Sequence, residues 1–291
     1  MMRSATHRAI PPATYQFAIG IALAVAASPL PSRASGQALS AAAGQGPGAF
    51  RIITSLLRFW NVNGAPIAIV QYALVARKAV DTVSEPSIAA TIVLRQIGAA
   101  HEVADTSWRQ EIDRTAIRPA DRVTAGYVVV PLRPWLIEWS LTARYPGTTD
   151  PGDGETRVGQ PLPAGSIVVS DLALGAPPSA NVWQFGAQRV LLELSDVFAR
   201  KVPVHLFYQT RSEASHDDVR TYITCTDISD AKMGKRVLQV SFDGRLDPGI
   251  NVSERELDMS HMKSGRYQVE LQVGDQHGGG ASVRMTTFTV K

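Results

Sequence analysis

The stretch SGRYQVELQVGDQHGGGASVRMTTFTVK, residues 264–291, decides the fold class. Between Tyr267 and Val273 apolar side chains alternate with glutamine and glutamate. This period of two is typical of a strand with one buried face and one solvated face. The glycine-rich segment 274–280 supplies the backbone freedom for a reversal, so the stretch predicts a β-hairpin.

The second strand of this hairpin changes its pattern part-way. Val283 and Met285 lie on one parity, whereas Phe288 and Val290 lie on the other. An extra residue in a strand would move the following side chains to the opposite face. We therefore expect a β-bulge near residues 286–287.

Similar segments recur along the chain and are bounded by glycine and proline turns. The predicted strands are Pro66–Val75, Ser87–Leu94, Trp135–Ala143, Ser166–Leu174, Pro203–Tyr208, Val219–Thr226 and Val237–Phe242. Tyr127–Val130 and Val190–Leu194 are further apolar segments. The charged segment Trp108–Arg118 fits a short helix or an edge strand. No strand–helix–strand rhythm is visible, so the pattern predicts an all-β fold.

The domain organisation follows from the turn-forming segment Gly175–Ser179, which contains two consecutive prolines. We predict two tandem immunoglobulin-like antiparallel β-sandwiches, residues 50–174 and 175–291. The alternating segment Trp135–Leu141 in the first half corresponds to Tyr267–Val273 in the second. Residues 37–49 are rich in alanine, glycine and glutamine and predict a flexible linker.

The N-terminus, residues 1–36, has the pattern of a signal peptide or a short anchor. Arg3 and Arg8 precede the apolar run Phe17–Ala27, and the small residues Ala34–Gly36 follow it. The run has 11 residues, whereas a spanning helix needs about 20. We expect an exported protein, periplasmic or membrane-associated on the outer side of the inner membrane. Either cleavage or retention as an anchor fits.

Charge and cysteine content exclude other classes. The net charge of +3 arises from three arginines in the first 36 residues, so the remaining chain is neutral. A neutral chain has no basic surface for nucleic acid. Cys225 is the single cysteine, and its alternating surroundings predict a small buried side chain.

Several segments resemble a known family. They are Ser170–Leu174, Asn181, Phe185, the strand Val202–Tyr208 and the hairpin start Ser264–Val269. Together they are similar to the C-terminal β-sandwich portion of GWxTD-domain proteins, which are exported bacterial proteins. The Gly-Trp-x-Thr-Asp motif itself is absent from this chain. The resemblance implies the fold and export, and it implies no catalytic residue.

Three polar motifs contain residue types that occur in catalytic or metal-binding sites. His277-Gly278-Gly279-Gly280 matches an esterase oxyanion string, but the chain lacks the Gly-x-Ser-x-Gly nucleophile motif, so a hairpin turn is expected. The acidic loop Asp150–Glu155 does not follow the calcium-loop pattern, so a solvated turn is expected. The adjacent residues Ser215–Asp218 cannot form a catalytic triad with one another, because neighbours in an extended chain point in opposite directions. A polar loop is therefore expected there. No catalytic, cofactor-binding or metal site is predicted.

Aromatic residues give the candidate interaction surface, which comprises Trp60, Trp108, Trp135 and Trp139. Trp135 and Trp139 share strand parity and therefore one face. They form either part of the core or an exposed platform for a glycan, a protein or a membrane interface.

We therefore expect a non-enzymatic interaction or scaffold protein of the cell envelope, without a cofactor and with protein partners. One version is a membrane-extrinsic accessory subunit of a large membrane complex, such as a photosynthetic reaction-centre antenna assembly. The alternative is a carbohydrate-binding module that uses exposed tryptophans, with a glycan as partner.

Overall fold

A computed structural model of the protein describes residues 50–76, 87–113, 122–144, 155–158, 162, 165–179, 181–230, 234–277 and 281–291. The predicted signal or anchor segment, the linker and most of the acidic loop 150–155 lie outside these residues. Within the described ranges, no helix has the length and apolarity to cross a lipid bilayer.

The described residues form strands joined by turns and loops. The strands are β1 (Phe50–Trp60), β2 (Pro66–Ala76), β3 (Ser87–Gly98), β4 (Val103–Asp113), β5 (Arg122–Pro131), β6 (Leu136–Arg144), β7 (Glu155–Val158), β8 (Ile167–Val169), β9 (Ala173–Gly175), β10 (Asn181–Phe185), β11 (Gln188–Leu192), β12 (Val197–Phe198), β13 (Val204–Ser212), β14 (His216–Asp227), β15 (Lys235–Leu246), β16 (Gly249–Leu257), β17 (Gly265–Asp275) and β18 (Ala281–Val290).

The first sandwich packs the sheet β1-β2-β5 against the sheet β4-β3-β6-β7. Alternate side chains of each strand enter the space between them, as the period of two requires. Leu56, Val70, Ile92 and Leu141 are among the buried core residues. The sequence of Trp108–Arg118 fitted either a short helix or an edge strand. In the structure its first residues, up to Asp113, belong to the edge strand β4.

The second sandwich packs the five-stranded sheet β12-β18-β17-β14-β15 against β16-β13-β8, and β9 also pairs with β13. Its core includes Leu206, Tyr208, Ile223, Val269 and Phe288. All pairs are antiparallel except the short parallel pair β12 and β18. The predicted all-β architecture of packed antiparallel sheets is confirmed.

The C-terminal hairpin is regular, so the predicted bulge near residues 286–287 is wrong. Strands β17 and β18 pair from Gly265↔Val290 to Gly274↔Ala281 without a register shift. Ser282 and Arg284 share the parity of Phe288 and face inward, whereas Val283 is 39% exposed. Of these two inward polar residues, Ser282 has a hydrogen-bond partner: its hydroxyl accepts from the Val169 amide at 3.0 Å. The apolar pattern was misleading because two core positions are polar.

The predicted domain boundary between residues 174 and 175 falls inside strand β9. Strands β8 and β9 were assigned to the first half from sequence, but both pair with β13 of the second sandwich. Their β-branched and apolar residues fit either half, so composition alone does not assign the sheet. The two sandwiches, as far as the ranges given above describe them, belong to one compact unit.

A third cluster of buried side chains joins the two sandwiches. The hairpin β10–β11 packs with the outer faces of β1, β2 and β13. The ring centroids of Phe59 and Trp183 lie 5.2 Å apart, and those of Phe59 and Phe207 lie 5.6 Å apart. Contacts at these distances add to the area that the rings bury. The halves are therefore joined through an aromatic core.

The outer edge of β1 is capped by side chains from the second half of the chain. The Gln209 amide accepts from the Trp60 backbone N–H at 2.7 Å and donates to the Trp60 carbonyl at 3.0 Å. The Asp171 carboxylate accepts from the Arg58 backbone N–H at 2.8 Å, and the Asp171 N–H donates to the Arg58 carbonyl at 3.1 Å. Buried backbone groups need such partners when no strand supplies them.

Candidate functional site

The tryptophans of the candidate interaction surface do not form one exposed surface. Trp60 is 3% exposed and Trp139 is 1% exposed, whereas Trp108 and Trp135 are half-buried. Trp108 packs on Tyr72, with ring centroids 5.7 Å apart. Trp60 on β1 and Trp139 on β6 occupy core-facing positions of their strands, which buries their rings. Trp60 and Trp139 are therefore removed from the predicted surface.

The carbohydrate-binding alternative requires Trp135 and Trp139 to be exposed side by side. Trp139 belongs to the core of the first sandwich, so a sugar ring cannot reach its face. Trp135 lies just before β6, in the turn that precedes it. The burial of Trp139 is thus a specific argument against a two-tryptophan platform.

A small polar cavity of about 30 Å³ lies beside β1. Thr54, Gln71, Trp139, Glu193 and Asp196 are among the residues that line it. Gln71 Oε1 and Trp139 Nε1 are buried without a hydrogen-bond partner among the described residues. A cavity of this size has room for one water molecule.

Asp196 is an unusual acid within this cavity. Its backbone has a φ of 48°, in the left-handed region that aspartate and asparagine tolerate better than most residues. Burial, with a smaller contribution from the nearby Glu193 charge, raises the pKa of Asp196 to about 8. Asp196 therefore holds a proton at neutral pH.

Three charged side chains lie where the sandwiches meet. Arg58 Nη2 and Asp171 Oδ1 are 2.7 Å apart, and the Arg284 Nε lies 3.8 Å from the same oxygen. Burial opposes the charge on Arg58, but Asp171 outweighs it and raises the Arg58 pKa. Burial lowers the pKa of Arg284, whose Nε and Nη2 have no hydrogen-bond partner in the described part of the chain. One carboxylate thus faces two buried cations.

A larger cleft of about 310 Å³ opens between the sandwiches. Trp60, Leu132 and Val168 contribute apolar lining, and Arg133 and Arg211 contribute guanidinium groups. This volume lies at the lower end of the range for small-molecule sites. The sequence did not predict the cleft, because its walls come from both halves of the chain.

Strand β15 is the open edge of the five-stranded sheet. Among the described strands it pairs only with β14. The segment 237–242 on this edge, Val-Leu-Gln-Val-Ser-Phe, carries no charge. Val237 is 42% exposed and Val240 is 44% exposed. Phe242 is half-buried. The Cζ atom of Arg255 lies over the Phe242 ring, 4.5 Å from the ring centroid.

Two polar motifs that are distant in sequence meet at one end of the second sandwich. His216 Nδ1 lies 2.8 Å from Asp275 Oδ2, and His277 Nε2 lies 2.8 Å from Asp218 Oδ2. The Asp218 hydrogen bond raises the pKa of His277, and the His277 backbone N–H together with His216 lowers that of Asp275. These crossed pairs hold the hairpin turn against β14.

Two further chemical features concern reactivity. In the ranges given above, no group of three histidine, cysteine or acidic side chains is placed to hold a metal ion. Cys225 is fully buried in the second core, which confirms its predicted packing role, and burial raises its pKa to about 11. A thiol with such a pKa is a poor nucleophile at neutral pH.

Two solved structures to which the chain is similar are remote likenesses. No family model and no curated protein matches the chain. A crystal structure of the C-terminal domain of Wzt is 10% identical with a TM-score of 0.33, covering 44% of this chain and 75% of that domain. Red sea bream transglutaminase is 14% identical with a TM-score of 0.26, covering 86% of this chain and 32% of the enzyme. The fold assignment therefore depends on strand pairing and core packing.

Proposed function

We propose that this chain is a non-enzymatic, exported interaction and scaffold protein of the cell envelope, and that β15 receives an extended segment of a partner protein. The partner segment adds a strand to the five-stranded sheet, so backbone hydrogen bonds supply affinity and side chains supply specificity. As an accessory subunit, the protein would dock on a membrane complex from the outer side. The signal-like pattern of residues 1–36 supports this location.

The open edge of β15 is the observation that carries the proposal. β15 spans 12 residues and has no strand neighbour beyond β14 in the described structure. An exposed edge presents a row of backbone donors and acceptors that can pair with another chain. Soluble proteins commonly blunt such edges with charges or proline.

The sequence of β15 lacks that protection in its centre. Charged residues occur at Arg236 and Asp243, but the six residues between them are uncharged and favour strands. Segments with this composition pair readily with other strands when exposed. Coverage of Val237 and Val240 by a partner would remove the apolar surface from water.

Site-specific photo-crosslinking tests the proposal in the native envelope. A benzophenone amino acid replaces Val240 on β15 or, as a matched control, the exposed Arg109 on another edge strand, β4. We expect one defined protein adduct at position 240 and none at position 109. Val240→Lys should reduce copurification of the same protein at least about tenfold, because a charge at the edge opposes pairing.

The proposal would be contradicted by equal adducts at both positions or by an adduct that Val240→Lys leaves unchanged. Absence of any adduct at position 240 in intact envelopes would contradict it as well. The mass of the captured protein identifies the partner in the successful case.

A further inference from the structure

The backbone at the end of β1, beside the cleft between the sandwiches, is fixed in place. Trp60 ends β1, and the Gln209 side chain holds both its backbone N–H and its carbonyl. Gln209 is fully buried, so water does not compete for these bonds. The backbone on this side of the cleft is therefore set before any ligand arrives.

A second buried glutamine fixes the opposite wall. Gln96 is 2% exposed, donates to the Pro131 carbonyl at 3.0 Å and accepts from the Arg133 backbone N–H at 3.0 Å. The Leu132 N–H donates to the Pro66 carbonyl at 3.1 Å. This wall carries Leu132 and Arg133 into the cleft. Preorganised walls lower the entropic cost of binding.

The charges at the cleft favour an anion. Arg133 and Arg211 line it, and within the described ranges neither guanidinium forms a hydrogen bond or an ion pair. Glu213 also lines the cleft, so the lining carries one net positive charge. Arginine is well suited to carboxylates because its planar fork donates parallel hydrogen bonds.

We propose that this cleft binds a small organic carboxylate whose apolar body packs on Pro66, Pro134 and Leu162, the accessible apolar residues of the lining, and whose acid group pairs with Arg133 and Arg211. The volume of about 310 Å³ accommodates a molecule with one or two rings or a short branched chain. This site is separate from the β15 edge and does not depend on the proposed function.

Isothermal titration calorimetry with matched probes tests the inference on the full protein. The probes are 2-naphthylacetate, its neutral amide 2-naphthylacetamide, and inorganic phosphate. We expect the carboxylate to bind about tenfold more tightly than the amide, because only the carboxylate forms charge-assisted hydrogen bonds. Phosphate should bind at least about tenfold more weakly than naphthylacetate, because it has no apolar body.

Side-chain variants locate the binding. The double variant Arg133→Gln and Arg211→Gln should remove the preference for carboxylate over amide while retaining the amide affinity. Arg109→Gln, on the exposed edge strand β4, is the matched control and should leave all affinities unchanged. Both arginines of the cleft are exposed, so the double variant should unfold within about 2 °C of the parent.

Three results would overturn the inference. They are equal affinity for carboxylate and amide, an unchanged preference in the double variant, and phosphate binding as tight as that of naphthylacetate. No detectable binding of naphthylacetate at millimolar concentration would also overturn it. None of these results bears on the crosslink at β15, so failure of either proposal is recognisable separately.

Discussion

Strands β1 and β15 both end a sheet, but their outer edges are treated differently. At β1 the backbone groups of Arg58 and Trp60 that face away from β2 are bonded by Asp171 and Gln209. At β15 the outer backbone groups have no strand partner among the described residues. One edge is closed by the protein itself, whereas the other remains available.

A third edge strand shows that charge is another way to protect an edge. On β4, Asp105 pairs with Arg95 at 2.9 Å, and Arg109 pairs with Glu111 at 3.1 Å. Alternating charges of this kind disfavour addition of another strand. The centre of β15 lacks such charges, which agrees with a role in pairing.

The largest expected effect concerns the carboxylate that closes β1. Asp171→Ala removes the partner of the Arg58 backbone N–H and leaves Arg58 and Arg284 as buried cations that repel each other. We expect the free energy of unfolding to fall by about 3–5 kcal/mol, measured by urea denaturation. A loss below about 1 kcal/mol would contradict the closing role of Asp171.

Gln209→Leu should have the next largest effect. The leucine fills similar space but leaves the Trp60 N–H and carbonyl without their partner, so unfolding should become easier by about 2–4 kcal/mol. Gln239→Leu on the open edge is the matched control and should change stability by less than about 0.5 kcal/mol. Equal effects at both positions would remove the contrast between the two edges.

The raised pKa of Asp196, beside β1, predicts that the free energy of unfolding depends on pH. The Asp196 pKa is raised from 3.8 to about 8, so the folded state holds this proton more tightly than the unfolded state. Its stabilising contribution is complete below about pH 4 and is lost as the pH rises to about 8. Asp196→Asn should match the parent near pH 4 and become increasingly more stable than the parent as the pH rises to 8.5, in urea denaturation.

If Asp196→Asn and the parent had parallel pH profiles, the carboxyl group would not be protonated in the folded protein.

Arg284→Met tests whether the second buried cation near β1 is stabilising. The guanidinium has buried nitrogens without partners and lies close to the Arg58 charge. An apolar side chain of similar length should therefore be neutral or stabilise the fold by about 1 kcal/mol. Thermal and urea unfolding measure the change, and destabilisation above about 2 kcal/mol would assign Arg284 a structural role.

The smallest effect on stability is expected at the open edge. Val240 is 44% exposed, so Val240→Lys should change the free energy of unfolding by less than about 0.5 kcal/mol. The same variant should nonetheless reduce partner capture. A large loss of stability would mean that β15 is part of the supporting core rather than a free edge.

Much of the strand pattern could be predicted from sequence, because the period of two is a local property. The predicted segments Pro66–Val75 and Val219–Thr226 lie within β2 and β14. Strand β16 was missed, because the charges in Gly249–Leu257 conceal its alternation. A bulge was predicted in β18 for a related reason: the polar character of Ser282 and Arg284 conceals their inward positions.

The candidate sites were less accessible to sequence analysis. Gln209 and Trp60 are 149 positions apart, and His216 and Asp275 are 59 positions apart. No local pattern relates such pairs. Likewise, the shared parity of Trp135 and Trp139 indicated a common face but did not indicate which of them the opposing sheet covers.

The sequence by itself determined that this chain folds into strands. Its apolar and polar side chains alternate with a period of two, and a pleated strand places such side chains on separate buried and solvated faces. It also determined that Cys225 is an inert core group. Tertiary structure alone decided which edges are closed, which tryptophans are covered and where a cleft opens. Those features depend on which strands become neighbours, and neighbours are chosen by packing over the whole chain rather than by any one segment.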